Sequence, residues 1–135
     1  MNLLDTLPQP NHSTVLRLAD SKISKEELRR RINHYKQRFE ELEVSRVGMM
    51  LCNGLDWVAV DLACMELNIC LIPIPTFFSP QQVSHSLSSA AVQIFICDTD
   101  NLSEDLQDNM ANLASHYDEQ SGPCWYYLRS QIGSE

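Results

Sequence analysis

Glycine is scarce in this chain: of 135 residues only Gly48, Gly54, Gly122 and Gly133 are glycine. Neither G-x-G-x-x-G nor G-x-x-x-x-G-K-[ST] can be written anywhere, so these residues hold no backbone cradle for nucleotide phosphates. Metal ligands are equally thin. His12, His34, His85 and His116 lie far apart with no H-x-x-x-H or HExxH pairing. Cys52, Cys64, Cys70, Cys97 and Cys124 show no CxxC spacing, so no zinc ligand set is legible. Five cysteines, an odd number and mostly within apolar runs, suit buried, reduced thiols. No window approaches the ~20 apolar residues that a membrane span needs. Met1-Asn2-Leu3-Leu4-Asp5 lacks the basic and apolar regions of a secretory leader, so a cytoplasmic location is expected. Cations are also in deficit. Ten Lys and Arg against eighteen Asp and Glu give a net charge of -8, which repels a phosphate backbone, so nucleic acid is not an expected partner. The Arg29-Arg30-Arg31 run is interleaved with acids and reads as solvated surface.

What is present is the pattern of an α/β domain. At 135 residues the chain is sized for one domain. Residues 1–13, with Pro8 and Pro10, read as an extended lead-in, and 14–135 as a single α/β domain. Thr14 to Leu18 alternates like a short strand, and Asp20-Ser21-Lys22 makes a turn. Ser24 and Glu27 form an S-x-x-E capping box, after which Leu28, Ile32, Tyr35, Phe39 and Leu42 recur at helical spacing. Glu26–Arg30 and Glu27–Arg31 are i,i+4 pairs on its wet side.

Val47 to Cys52 is continuously apolar, as in a strand covered on both faces. Asn53 is placed to cap a largely buried helix from Leu55 to Leu67. Cys70 to Ile74 is a second such strand, and Pro73 puts it near an edge or at its end. Ser79, Pro80 and Gln82 open a helix running to about Ser89. Val92 to Cys97 is a third strand. Asn101 and Glu104 can cap an acidic helix with Leu102, Leu106, Met110 and Leu113 inward, and Cys124 to Leu128 is a last strand. This alternation predicts a three-layer, mostly parallel sheet with flanking helices, flavodoxin-like or Rossmann-like, preceded by a short strand or hairpin.

In such folds function sits beyond the carboxyl ends of the strands, at Asn53-Gly54, Pro75 to Ser79, and Asp98 to Asn101. Asp98-Thr99-Asp100-Asn101-Leu102-Ser103 begins like a calcium loop, but Leu102 falls on a ligand position and Ser103 where the turn glycine belongs. An aspartate at a strand end also occurs in phosphate-accepting receiver domains. Their acidic pair is replaced by Cys52-Asn53-Gly54. A Cys–His nucleophile pair would meet in space, and no local signature supports one.

Read as one string, residues 14–97 resemble the opening region of the adenylate-forming, AMP-binding superfamily: acyl-CoA synthetases, fatty-acyl-AMP ligases, adenylation domains and luciferases. Ile23-Ser24-Lys25-Glu26-Glu27-Leu28 is similar to the family's lead into its first helix, and Asn53 with Trp57 to its N-x-x-x-W. Ile72-Pro73-Ile74, then Ser79-Pro80-Gln81-Gln82-Val83 and Leu87, resemble its next strand and helix. Two departures bear on the subfamily. Asn68 stands where a glycine is usual, and Ser45-Arg46 where Gly-Asp is common.

The resemblance implies the N-terminal fragment or subdomain of a ligase that activates a carboxylic acid, by default a fatty acid, with ATP and magnesium and passes it to a thiol such as coenzyme A. The family's phosphate loop, aromatic-x-Thr-Glu motif, ribose-binding aspartate and C-terminal lysine have no counterparts here. No catalytic, cofactor-binding or metal residue is therefore assigned, and the chain alone is expected to be inactive. The loop Pro75-Thr76-Phe77-Phe78 is the candidate for an acyl-pocket or subdomain contact. Expected partners are the remainder of the ligase, a partner protein, or a second copy meeting through an exposed apolar face. The rival reading is a free-standing interaction or regulatory module that kept the fold.

Overall fold

The computed structural model describes residues 14–18, 21–52, 54–119 and 122–129. The lead-in expected over 1–13 and the cap expected at Asn53 lie outside them. The elements are β1 (Thr14–Leu18), β2 (Ser21–Ser24), α1 (Lys25–Leu42), β3 (Arg46–Met50), α2 (Leu55–Leu67), β4 (Cys70–Pro73), α3 (Pro80–Ser89), β5 (Ile94–Cys97), α4 (Glu104–Leu113), β6 (Ala114–Glu119) and β7 (Cys124–Leu128). The β1–β2 pair with α1 and α2 forms one compact unit, and the other strands with α3 and α4 form a second.

In the first unit β1 and β2 pair antiparallel, the hairpin form of the expected opening. The Ser24 hydroxyl accepts from the Glu27 amide while the Glu27 carboxylate accepts from the Ser24 amide, so both arms of the capping box close. Leu28, Ile32, Tyr35 and Phe39 are buried as their spacing predicts. Arg30 pairs with Glu26 at 3.3 Å. Arg31 does not take Glu27, which is engaged in the cap; it reaches Asp56 of α2 at 3.3 Å. Asp56 also accepts from the Tyr35 hydroxyl at 2.7 Å, and Lys36 pairs with Glu66 at 2.8 Å. Polar ties thus reinforce the α1–α2 contact. Helix α2 is less buried than its composition predicts: Ala59, Val60, Ala63 and Cys64 are covered, whereas Met65 is exposed. It ends at Asn68 in the left-handed conformation (φ 58°), where a short polar side chain substitutes for glycine.

In the second unit the strand order is β4-β3-β5-β7-β6. β3 pairs parallel with β4 and β5, while β7 is antiparallel to both β5 and β6. All strands but β7 therefore run the same way, which gives the mostly parallel α/β sheet that the sequence pattern predicts. Pro73 closes β4, an edge strand, where its missing N–H costs no ladder bond. On one face Met50, Phe95, Cys97, Cys124 and Tyr126 pack with Val83 and Leu87 of α3 and Leu106 and Met110 of α4. On the other, Val47, Met49, Ile96 and Trp125 are also buried, so the continuous apolar runs have their physical cause.

Further details depart from the sequence reading: Ser21 and Lys22, expected in a turn, belong to β2. The cap of α4 is Ser103, whose hydroxyl accepts from Leu106, because Thr99–Asn101 forms a 3₁₀ turn instead. β6 was not predicted. Its Ser115, His116 and Tyr117 are exposed, so this polar edge strand carries no apolar alternation.

Gly48 sits where α3 crosses β3: a Cβ there would lie 2.9 Å from Leu87 Cδ2 and 3.2 Å from Val92 Cγ1. Gly48→Ala is expected to cost about 1–3 kcal/mol by overpacking, and Gly48→Val more. Urea unfolding followed by tryptophan fluorescence checks this; unchanged midpoints would show that α3 yields freely.

Burial, then the Arg31 cation, holds the His34 imidazole below 6.5; Asp56 opposes this shift and Arg38 adds to it. The folded state thus favours neutral His34, so its stabilising share is present above pH 6.5 and is lost as pH falls through the lower folded value. His34→Gln is expected to flatten the loss of urea midpoint between pH 7 and pH 5, and an unchanged slope would sink the assignment.

Candidate functional site

Three segments meet the carboxyl ends of β3, β4 and β5. Beyond β5 the Asp98 carboxylate accepts from the Cys52 backbone amide at 2.7 Å, and the Asp98 amide donates to the Met50 carbonyl at 3.3 Å. The Asn101 side-chain amide reaches the Met50 carbonyl at 3.4 Å and the Cys52 sulfur at 3.9 Å. Asp98 and Asn101 are therefore used to splice one loop to the next. Leu102 packs toward the core, so the position at which a calcium loop needs an oxygen ligand is apolar and turned inward. Among the described residues no group of three His, Cys, Asp or Glu side chains is placed to hold a metal.

Beyond β4 the predicted loop is a tight turn. The Phe78 amide donates to the Pro75 carbonyl at 3.1 Å, which brings Pro75, Thr76, Phe77 and Phe78 together. The two rings meet edge to face at 5.6 Å. Phe78 packs against the core, whereas Phe77 is 83% exposed. Behind the turn, Ser79 and Gln82 form a reciprocal cap with Pro80 in the first helical turn. A shallow cleft of about 350 Å³ lies beside it, lined by Phe78, Gln81, Gln82, His85 and Ser86. An aromatic pair flanked by amides can hold an apolar surface.

A second cavity, about 340 Å³, lies at the same end of the sheet, where Thr99, Leu102, Gln107 and Ala111 face Tyr117, Cys124 and Tyr126. Tyr117 stacks on Tyr126 at 5.4 Å. Sequence reasoning missed this cavity because half of its wall is the β6–β7 pair. Next to it, burial pushes the Cys97 thiol strongly up, and the negative charge of Asp98 adds to the effect.

Asp98→Ala removes the acceptor of the Cys52 amide. Since that bond is near solvent, a cost of about 1 kcal/mol is expected, and Asp98→Asn should recover most of it. Amide hydrogen exchange at Cys52 is the direct readout: unchanged exchange in the alanine variant would show that the splice is not formed in solution.

Comparison with curated proteins finds no match. The fold, however, recurs in solved structures. MatB from Rhodopseudomonas palustris matches with a TM-score of 0.67 at 19% identity, over 82% of this chain and 23% of that one. A mutant coronafacic acid ligase from Pectobacterium brasiliense matches at 0.68 and 14%, over 74% and 20%. The anthranilate CoA ligase AuaEII, solved with anthranoyl-AMP, matches at 0.68 and 19%, over 81% and 23%. The chain thus spans roughly a fifth to a quarter of the length of these solved chains. At such identities the likeness establishes the fold alone; the sequence profile described as AMP-binding enzyme matches residues 7–126, most of the chain, and by that match the chain belongs to the AMP-binding enzyme family.

Proposed function

We propose that residues 14–135 act as the N-terminal subdomain of a larger cytoplasmic ligase that joins a carboxylic acid to AMP from ATP and then to a thiol. The observation that carries this reading is the family match over residues 7–126 in a chain without a phosphate-binding glycine loop. The triphosphate and magnesium would be held by parts of the family fold not represented here. Coenzyme A is the acceptor that the acyl-CoA synthetase resemblance implies, and a fatty acid the acyl group. The relative crystallised with anthranoyl-AMP supports acyl-adenylate chemistry in this fold, though with an aromatic acid.

Within that enzyme this chain contributes a scaffold and one contact. Phe77 presents its ring to water at the carboxyl end of β4, and burying such a ring is worth about 1.5–3 kcal/mol. The Pro75–Phe78 turn therefore meets the remainder of the ligase or the rim of its acyl pocket. Alone, the chain would self-associate there.

The test begins with the native gene product, detected with an antibody against this domain. A mass several times 15.4 kDa is expected, with pyrophosphate exchange into ATP that depends on added carboxylic acid. The 135-residue chain should show no exchange, and Phe77→Asp in the native-length protein should lower exchange about tenfold, the equivalent of about 1.4 kcal/mol. A native product near 15.4 kDa, inert toward ATP, would overturn the reading in favour of a free-standing interaction module.

A further inference from the structure

The sequence scatters its cysteines, but the sheet brings two of them face to face. Cys97 ends β5, Cys124 begins β7, and the register makes them direct antiparallel partners. The Leu128 amide donates to the Gln93 carbonyl, so pair 93/128 is of the hydrogen-bonded kind; two and four residues further along, 95/126 and 97/124 are of the same kind. Such pairs have Cα atoms about 5.5 Å apart. A disulfide spans about 4.4–6.8 Å between Cα atoms but needs about 3.5–4.5 Å between Cβ atoms, closer than the side chains of a hydrogen-bonded pair stand, so the bond requires the first residue of β7 to draw toward β5. Direct partners also project to one face of a sheet, and both residues belong to the same buried cluster with Phe95 and Tyr126.

Access is provided from one side. Cys124 forms part of the wall of the 340 Å³ cavity, beside Leu102, Tyr117 and Tyr126, whereas Cys97 lies behind it, fully buried, its thiol donating to the Asp98 carbonyl at 3.3 Å. A small reagent meets Cys124 first and Cys97 only through it.

We propose that Cys97 and Cys124 form a cross-strand dithiol site that low-molecular-weight disulfides oxidise through this cavity. The Cys124 thiolate attacks one sulfur of the reagent; a Cys124–reagent disulfide forms, and the departing thiolate takes up the proton that Cys124 released. The Cys97 thiolate then attacks the Cys124 sulfur, forming the Cys97–Cys124 bond and expelling the second half of the reagent as a thiol. Two protein thiols are oxidised and one disulfide is reduced to two thiols, with no further reactant. The buried, hard-to-ionise Cys97 makes the second step slow. The product closes a covalent loop around α4 and β6 and fixes β7 to β5.

The test treats the reduced 135-residue chain with bis(2-hydroxyethyl) disulfide, blocks residual thiols under denaturing conditions, and maps the peptides by mass. The expected product joins the Cys97 and Cys124 peptides, is two hydrogens lighter than their sum, and forms equally well after tenfold dilution. Its thermal midpoint should rise by roughly 10 °C. Cys52→Ser should leave the linkage intact and Cys124→Ser should abolish it. Recovery of Cys97 and Cys124 as blocked thiols while exposed Cys52 and Cys70 carry the reagent would overturn the proposal, as would a Cys52–Cys97 linkage. The map of the unsubstituted chain decides the matter even where a variant fails to fold.

Discussion

The sheet-bearing unit depends on the way β3 is held against β5. Between the strands the ladder is ordinary parallel pairing, Val47 opposite Ile94 through Met50 opposite Cys97. At each end a side chain takes over. Before β5, the Gln93 carboxamide oxygen accepts from the Ser45 and Arg46 amides at 2.7 and 2.9 Å. After β5, Asp98 accepts from the Cys52 amide. A slip by one residue would break both splints and turn every apolar side chain of β3 to the opposite face. The register is thereby over-determined, and with it the place where each following loop begins.

From that register the rest follows by packing. β3 is covered on both faces, so its apolar residues need no alternation, and α3 approaches closely because Gly48 has no side chain. The same closeness seats the last turn of α3, where Leu87 lies, while the reciprocal cap of Ser79 and Gln82 fixes its start. Phe78 is drawn into the core, and Phe77, one residue earlier, is left outward. The exposed ring is thus a consequence of ordered packing.

Much of this was legible in the sequence wherever a local rule carried the information. Ser24 with Glu27 and Ser79 with Gln82 close reciprocal caps as written, Pro73 falls on an edge strand, and the Pro75–Phe78 turn lies at a strand end. Asn68 replaces glycine at a left-handed position, which accounts for that departure from the family pattern. What escaped were non-local facts. Tyr35 looked like one more apolar stripe residue, yet its hydroxyl binds Asp56, 21 positions away. β6 is polar because one edge faces solvent, and the pairing of Cys97 with Cys124 exists only once β7 turns antiparallel. Spacing along a chain carries no register.

The carboxyl end of the sheet is where α/β folds gather ligands. Here its polar groups are consumed by one another: Asp98 on the Cys52 amide, Asn101 on the Met50 carbonyl, Ser103 on the Leu106 amide. Each of these side chains is thereby held in a fixed orientation by its backbone partner. The openings left at this end are bordered by aromatic rings, Phe77 and Phe78 beside one cleft and Tyr117 and Tyr126 beside the other, with polar side chains such as His85 and Gln107 among them. Aromatic faces recognise apolar surface and stack on flat groups. Because a large ring carries much apolar area, the aromatic border of these clefts is suited to making contacts.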